Sequence, residues 1–190
     1  MSTEYYDRNG VRFFSDSVSA DLSGTQTRFL AHVPIRGEIL DAGCGSGRDS
    51  LAFKNAGYSV AAFDGSVRMV QLASEHVGIP VRHLLFENVD WVNQFDGVWA
   101  CACLLHVPRT ALDGVMARLV RTLKPGGAFF MSFKYGANER FANERHFTDM
   151  NEELLASAVV RAGLGLADMW TQSDARPGRS HEMWISAIAK

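Results

Sequence analysis

The sequence has no long apolar run, few cysteines and almost no net charge. Its longest apolar run, residues 98–105, has eight residues, far fewer than a membrane span requires. The first residues, MSTEYYDRNGVRFF, lack the apolar segment of a secretory signal peptide. Only three cysteines are present, Cys44, Cys101 and Cys103, which are too few for a disulfide framework. We therefore expect no membrane partner and a location in a reducing cytoplasm.

An excess of either charge is also missing. The formal net charge is −2 and the sequence pI is about 6.3. A protein whose main partner is a nucleic acid needs a basic face, so this balance argues against a nucleic-acid partner. Hydrophobic residues make up 47% of the chain and charged residues 21%, as in an ordinary globular protein. A chain of 190 residues suits a single domain, residues 1–190.

Strand-like and helix-like apolar patterns alternate along the chain, without repeats or low-complexity segments. This alternation predicts an α/β, Rossmann-like sheet of about seven mostly parallel strands with helices on both faces. One strand near the C-terminus should be antiparallel, because about ten residues join the last two strands and a parallel crossover needs more. Residues 1–37 show no strand pattern and are predicted to form an N-terminal helical cap on a core of residues 38–190. The predicted strands are 38–41, 59–64, 81–86, 95–103, 128–133, 166–171 and 182–189, and the predicted helices are 48–57, 66–77, 111–123 and 151–162.

Three glycines at alternate positions follow the first predicted strand, in LDAGCGSGRDS, residues 40–50. Glycine lets a ligand approach the backbone and adopts φ values that other residues avoid. The following helix offers free N–H groups and a positive dipole end, so an anionic group should lie there. The glycine spacing does not fit the dinucleotide fingerprint in either register, and no P-loop Gly-Lys-Ser/Thr follows. Asp64 ends the second strand, where a carboxylate can accept hydrogen bonds from both ribose hydroxyls.

Four segments occur in the order and spacing of a known family: ILDAGCGSGRDS, VAAFDGS, FDGVWACACLLHV and LKPGGAFFMSF. Over residues 36–190 the sequence resembles the class I S-adenosylmethionine-dependent methyltransferases. The segment GCGSGRDSLAFKNAGYSVAAFD is also similar to small-molecule members of that family that include the tellurite-resistance methyltransferases. The resemblance implies S-adenosyl-L-methionine as the cofactor and S-adenosyl-L-homocysteine as its product.

The resemblance also implies cofactor-binding residues. The three glycines should line the methionine part, Asp64 should bind the ribose, and Phe86 and Glu87 fall where the family contacts adenine. Glu87 departs from the aspartate common there, and the alternative is an ordinary surface glutamate. Arg48 either meets the cofactor carboxylate or lies solvated at the helix start, and Asp41 is expected to order the loop backbone. The full predicted set is Asp41, Gly43, Cys44, Gly45, Gly47, Arg48, Asp64, Gly65, Ser66, Phe86, Glu87 and Cys101.

A strong catalytic signature is not expected in such a family. The methyl group on a sulfonium is already electrophilic, so the protein must mainly align the reactants and exclude water. His106, which follows the fourth strand in CACLLH, is the candidate base or substrate contact. The alternative is a histidine that is bonded locally at a helix start. Cys101, Cys103 and His106 do not supply four ligands at credible spacing, so no metal is expected.

Two more loops should leave the same edge of the sheet, FKYGANERFANERHF and DARPGRSHE. Some of their basic side chains are expected to bind a small anionic or polar substrate, since arginine offers a planar fork of donors. The alternative is that these are solvated loop charges. The N-terminal aromatic residues, Tyr5 among them, either close over the site as a lid or pack on the sheet. The candidate substrate residues are Tyr6, Phe13, Lys134, Tyr135, Arg145, Arg176 and Arg179.

The predicted function is S-adenosylmethionine-dependent methyl transfer to a small, polar or anionic molecule. The sequence after the fourth strand, CACLLH, is not the Asn/Asp-Pro-Pro-aromatic run of amino methyltransferases that act on adenine or glutamine. Two alternatives stay open. One is a methyltransferase for a metalloid oxyanion such as tellurite or selenite, and the other is a non-catalytic S-adenosylmethionine-binding regulatory or partner protein.

Overall fold

The computed structural model of the protein describes residues 2–190. Within these residues the chain forms six α-helices and nine β-strands. The helices are α1 Ser2–Ser17, α2 Ser23–Leu30, α3 Arg48–Asn55, α4 Val67–Val77, α5 Arg109–Thr122 and α6 Glu152–Arg161. The strands are β1 Glu38–Ala42, β2 Ser59–Asp64, β3 Val81–His83, β4 Phe95–Ala100, β5 Leu123–Lys134, β6 Glu139–Ala142, β7 Arg145–Thr148, β8 Leu166–Ser173 and β9 Met183–Ala189.

Seven strands form one sheet in the order β3-β2-β1-β4-β5-β9-β8. The pairs β1–β2, β1–β4, β2–β3 and β4–β5 are parallel. Strand β9 runs antiparallel to both of its neighbours, β5 and β8. This confirms the predicted Rossmann-like class with one antiparallel strand near the C-terminus. Because the other strands are parallel, the loops that follow them meet at one edge of the sheet, where ligands bind in such folds.

Alternate residues of the central strands supply two cores, one on each face of the sheet. Leu40, Val98 and Phe129 belong to a core that also contains α5 and α6 side chains, including Met116 and Leu155. The residues next to them point to the opposite face. There Ile39, Trp99 and Phe130 pack with Phe29 of α2 and Phe53 of α3, and all five are fully buried. Burial on both faces explains why these strands read as continuous apolar runs.

The ends of several helices and strands follow from capping residues and patterns that can be recognised in the sequence. Helix α4 starts after Ser66, whose hydroxyl oxygen accepts the Met69 N–H at 3.2 Å, and it ends at Gly78, which takes a left-handed φ of 66°. Asn151 caps α6 in the same way, by accepting the Leu154 N–H at 2.9 Å. Strand β2 spans the predicted residues 59–64 without change.

Other boundaries differ from the prediction. Strand β3 stops at His83, three residues early, because residues 86–88 form a 3-10 turn. Strand β4 stops at Ala100, because Ala102 takes a φ of +54° and turns the chain, which lets the Cys103 thiol donate to the Ala42 carbonyl. Helix α5 and strand β5 both begin before their predicted starts at 111 and 128.

A two-stranded hairpin, β6–β7, stands where the sequence predicted only a loop. Its turn residues, Asn143 and Glu144, have φ values of 48° and 60°, as the two central residues of a type I′ turn require. Asparagine tolerates this conformation, but the second turn residue is glutamate rather than glycine. The sequence therefore lacks the Asn-Gly pair that usually predicts such a hairpin. The hairpin contributes directly to the site described next.

Helix α1 packs on α4 and lies across the carboxyl edge of the sheet. Gly10 permits the close approach, because a Cβ there would lie 2.7 Å from Cγ of Arg68. The Asp7 carboxylate accepts a hydrogen bond from the Ser66 hydroxyl at 2.6 Å, which ties α1 to the start of α4. The N-terminal segment thus covers the region where the loops after β1, β2 and β4 meet.

Candidate functional site

A cavity of about 1090 Å³ opens at the carboxyl edge of the sheet, beneath α1. All of the predicted site residues except Gly47 and Ser66 line it, although they come from segments far apart in the sequence. We describe its lining as two walls. The glycine-loop wall consists of residues 41–48, without Ala42 and Gly47, together with Asp64 and Gly65. The hairpin wall consists of His106 and the β6–β7 hairpin. Helix α1 lies between them.

The glycine loop has an unusual backbone. Gly43, Gly45 and Gly47 have φ values of 67°, 55° and 75°, all in the left-handed region. A Cβ at Gly43 would lie 2.6 Å from Cβ of Cys103, so this glycine also permits close packing. A Cβ at Gly45 would meet only Phe13, with Cε1 at 3.5 Å, so Gly45 presents open backbone to the cavity. Gly47 was expected to line the ligand, but it packs against Val77 and Ala73 of α4 instead.

Asp64 lies at the end of β2 and faces this loop. Its carboxylate accepts the backbone N–H groups of Gly45 and Ser66, each at 2.9 Å. Burial raises the pKa of Asp64, and the two backbone hydrogen bonds oppose that shift. A carboxylate has about four acceptor positions, so two remain for a ligand. Ser66 itself is buried outside the cavity lining, and its backbone N–H donates to Asp64. Its predicted contact with the cofactor stays a prediction.

Arg48 is neither solvated nor free. Its side chain is 20% exposed and pairs with Asp49, with Nη2 to Oδ2 at 2.7 Å and Nε to Oδ1 at 2.9 Å. Asp49 also accepts hydrogen bonds from Trp99 Nε1 at 2.9 Å and Gln26 at 2.7 Å. The solvated alternative for Arg48 is therefore wrong, and any contact with a ligand carboxylate would have to share the guanidinium with Asp49.

Asp41 is buried beside this pair and accepts a hydrogen bond from the Ser50 hydroxyl at 2.5 Å. Burial, together with the negative charge of Asp49, raises the pKa of Asp41 to about 8. Burial therefore favours the protonated form of Asp41. The hydrogen bond from Ser50 links β1 to α3, and the predicted ordering of the loop backbone by Asp41 stays a prediction.

The remaining members of the cofactor set also line the cavity: Cys44, Gly65, Phe86, Glu87 and Cys101. Burial raises the pKa of Cys101 to about 12, so its thiol stays protonated. Phe86 packs edge-on against Phe63 at a centroid distance of 5.6 Å, whereas Glu87 is exposed at the rim.

The hairpin wall contains a hydrogen-bonded chain of Tyr6, His106 and His146. His106 Nδ1 lies 2.7 Å from the His146 carbonyl oxygen, which can only accept, so Nδ1 carries the hydrogen. Nε2 therefore accepts, and the Tyr6 hydroxyl donates to it at 2.7 Å. Burial lowers the pKa of His106 to about 4 and raises the pKa of Tyr6. Both groups are neutral at physiological pH.

Arg145 completes this wall and differs from the other basic residues. One Nη donates to the Tyr6 hydroxyl at 3.3 Å, and the Nε is buried without a hydrogen-bond partner among residues 2–190. The guanidinium lies over the Tyr5 ring at 4.3 Å and near the Phe147 ring at 5.2 Å. Tyr5 thus contacts Arg145 but lies outside the cavity lining, whereas Tyr6 and Phe13 line it.

The β8–β9 loop brings further charged groups to the cavity, already paired. Arg176 pairs with Asp174 through two side-chain hydrogen bonds, and Arg179 lies 3.6 Å from Glu182. Lys134 also pairs with Glu182. Burial alone would raise the pKa of Asp174, but the hydrogen bonds from Arg176 outweigh it and lower the pKa to about 2.

Tyr135 borders the cavity, but its hydroxyl donates outward to Glu152 of α6 at 3.0 Å. The sequence did not single out several other lining residues, among them Ser132, Phe147, Asp174 and Trp184. Phe147 could have been found from the alternation in RHFT, had the hairpin been recognised. Across residues 2–190 there is no group of three or more His, Cys, Asp or Glu side chains placed to hold a metal ion. No helix in that range is long and apolar enough to cross a membrane.

Comparison with known proteins gives consistent results. A family profile described as a methyltransferase domain matches residues 39–127. YqeM of Bacillus subtilis (strain 168), which carries the provisional name of a methyltransferase, is 30% identical over 135 residues, or 65% of this chain and 53% of YqeM. A demethylmenaquinone methyltransferase of Tropheryma whipplei (strain Twist) is 30% identical over 100 residues, covering 47% of this chain and 38% of that protein. The matches therefore span about half or less of these relatives.

Solved structures extend the likeness to nearly the whole chain. The 1,6-didemethyltoxoflavin-N1-methyltransferase of Burkholderia thailandensis, with bound 1,6-didemethyltoxoflavin and S-adenosylhomocysteine, superposes with a TM-score of 0.79 at 25% identity. The superposition covers 99% of this chain and 84% of that one. Magnesium protoporphyrin IX methyltransferase from Synechocystis PCC 6803 with bound SAM shares the fold at 15% identity, with a TM-score of 0.76 and 99% and 94% coverage. Residues 39–127 are thus similar to a methyltransferase domain, and nearly the whole chain shares the fold of class I S-adenosylmethionine-dependent methyltransferases.

Proposed function

We propose that this protein transfers a methyl group from S-adenosylmethionine to a small, polar or anionic organic molecule. One observation carries the proposal: a single cavity joins an open glycine loop, with the half-buried Asp64 carboxylate beside it, to a second wall of aromatic and basic side chains. Ligand pockets commonly measure about 300–1,000 Å³. A cavity of about 1090 Å³ has room for a cofactor and a small acceptor together.

The glycine-loop wall fits the cofactor. Gly45 leaves its backbone open to the cavity, and the N-terminus of α3 follows directly after the loop. That helix end suits the carboxylate of the cofactor's methionine part. Asp64 has acceptor positions left for two ribose hydroxyls, with Gly65 beside it and Phe86 in reach of the adenine. When bound, S-adenosylmethionine would supply an electrophilic methyl group on its sulfonium.

The residues of this chain would act by holding and shielding the reactants. Asp64 and the loop would fix the cofactor, while Tyr6 and Phe13 of α1 would cover the cavity and limit the entry of water. His106 is a poor candidate for a general base, since its pKa is lowered to about 4 and its Nε2 is occupied by Tyr6. We therefore assign His106 a positioning role toward Tyr6.

The acceptor is best supported as an organic molecule. Aromatic rings from α1, the hairpin and β9 line this side of the cavity, namely Tyr6, Phe13, Phe141, Phe147 and Trp184, and they favour apolar or planar surface. The Burkholderia relative was crystallised with 1,6-didemethyltoxoflavin, an organic molecule. A metalloid oxyanion offers little apolar surface, so it would gain little from packing against these rings.

A methyl-transfer screen tests the proposal. The protein would be incubated with methyl-labelled S-adenosylmethionine and a panel of aromatic and heteroaromatic acids, phenols and amines, together with tellurite and selenite. We expect labelled product from at least one organic acceptor, and much less product with the Asp64→Asn variant at the same subsaturating S-adenosylmethionine concentration. Label transferred only to tellurite or selenite would overturn the acceptor class. Binding of S-adenosylhomocysteine with no transfer to any acceptor would instead favour a non-catalytic binding protein.

A further inference from the structure

We infer that the acceptor is a planar acid, bound as its anion against Arg145 on the hairpin wall. The inference rests on the proposed function and narrows it in two ways. It names one residue rather than a group of basic residues, and it states the ionisation state in which the acceptor binds.

The ion pairs of the cavity single out Arg145. Five basic residues that line it already have a carboxylate partner: Arg48, Lys134, Arg140, Arg176 and Arg179. Arg118 also lines it but is exposed on α5. Arg145 forms no ion pair within residues 2–190, and the carboxylate next to it in sequence, Glu144, is bound to Arg8 at 3.0 Å. Arg145 is half-buried and its Nε is buried without a partner, so an anion at this point would gain a charge-assisted hydrogen bond.

The surroundings of Arg145 favour a flat ligand. The guanidinium centre lies 4.3 Å from the Tyr5 ring centroid, 5.2 Å from that of Phe147 and 5.8 Å from that of Tyr6. These cation–π contacts hold the side chain in place without neutralising its charge. A planar anion can present its charged edge to the guanidinium while its face packs on the same kind of aromatic surface.

The titratable side chains on this side of the cavity are engaged with protein partners, and His146 Nε2 lies 3.0 Å from the Thr148 hydroxyl oxygen and 3.2 Å from Glu139 Oε1. The lone pair on His106 Nε2 accepts from Tyr6, and Asp174 and Glu182 are held in ion pairs. An acceptor that arrives ionised needs no base. Its anionic atom forms the new bond to the methyl carbon, the carbon–sulfur bond breaks with its electron pair going to sulfur, and no proton moves. The positive charge of the sulfonium and the negative charge of the acceptor are lost together.

Matched acid and amide probes test this inference by binding. Nicotinate and nicotinamide, and benzoate and benzamide, would be titrated into the full chain saturated with S-adenosylhomocysteine and followed by ligand-observed NMR. We expect each acid to bind about tenfold or more tightly than its amide, as one charge-assisted interaction allows. Arg145→Gln should abolish this preference, and Arg145→Lys, which keeps the charge, should retain most of it.

Arg8→Gln is the matched control, because it removes a guanidinium from the contact between α1 and the hairpin but outside the cavity lining. It should leave the preference for acids unchanged. Equal binding of acid and amide, no binding of either acid, or an acid preference that survives Arg145→Gln would each overturn the inference. If S-adenosylhomocysteine binds normally in those cases, the proposed function stands. If it fails to bind the unaltered protein, the proposed function falls instead.

Discussion

The glycine-loop wall is made mainly of backbone from one short stretch of chain, whereas the hairpin wall is made of side chains from separated segments. The first wall depends on left-handed glycines and on one carboxylate that holds two backbone N–H groups. The second depends on Tyr6, His106 and Arg145 meeting through hydrogen bonds. A backbone-built wall suits a ligand that a whole family shares. A wall of side chains can change by substitution, and so can serve a ligand particular to one member.

The same difference decides how much the sequence could reveal. The glycine spacing, Asp64 and the Ser66 cap are local signals, and the fold class they accompany is confirmed. The hydrogen bond between Tyr6 and His106 could not be predicted from the sequence, because the two residues are 100 positions apart. The pairing of Arg48 with Asp49 was also hidden, since adjacent helical residues do not normally face each other. The assignment of individual residues to cofactor or substrate stays a prediction.

The largest expected effect is on stability, and it should differ between substitutions at two glycines of the same loop. Gly43→Ala should lower the free energy of unfolding by about 3 kcal/mol, because the new Cβ combines a left-handed φ with a clash against Cys103. Gly45→Ala should cost only about 1–2 kcal/mol, since it meets little besides Phe13. Urea denaturation measures both. Equal losses for the two variants would show that Gly45 does not face an open cavity.

A smaller effect is expected at the hairpin wall. Tyr6→Phe removes the donor to His106 Nε2 and the acceptor for Arg145, leaving buried groups unsatisfied at a cost of about 1–3 kcal/mol. Affinity for S-adenosylhomocysteine should stay nearly unchanged, while kcat/KM for the acceptor identified in the methyl-transfer screen falls. Calorimetry and steady-state kinetics measure the two quantities. A parallel loss of cofactor affinity would mean that the two walls do not act separately.

Changes of pH should affect the two walls in opposite directions. Burial raises the pKa of Asp41 from 3.8 to about 8, so the folded state binds its proton more tightly and the free energy of unfolding falls as pH rises through that interval. Burial lowers the pKa of His106 from 6.5 to about 4, so the free energy of unfolding falls as pH drops from 6.5 toward 4.

Asp41→Asn and His106→Gln test these two slopes by urea denaturation of the ligand-free protein across pH. Asp41→Asn should flatten the decline on the alkaline side, although Asp64, whose pKa is also raised, preserves part of it. His106→Gln should remove the His106 contribution, so the free energy of unfolding should fall less, or even rise, as the pH drops from 6.5 to 4. Unaltered slopes in both variants would contradict the protonation states assigned to the two walls.

Calorimetric titration with S-adenosylhomocysteine tests most directly whether the glycine-loop wall binds the cofactor independently of the hairpin wall. The unaltered protein should bind S-adenosylhomocysteine and not NAD. Asp64→Asn should weaken that binding about 10- to 100-fold through the loss of a charged hydrogen-bond acceptor. Arg145→Gln should leave it within about twofold. Binding of NAD in place of S-adenosylhomocysteine, or full affinity in Asp64→Asn, would contradict the account.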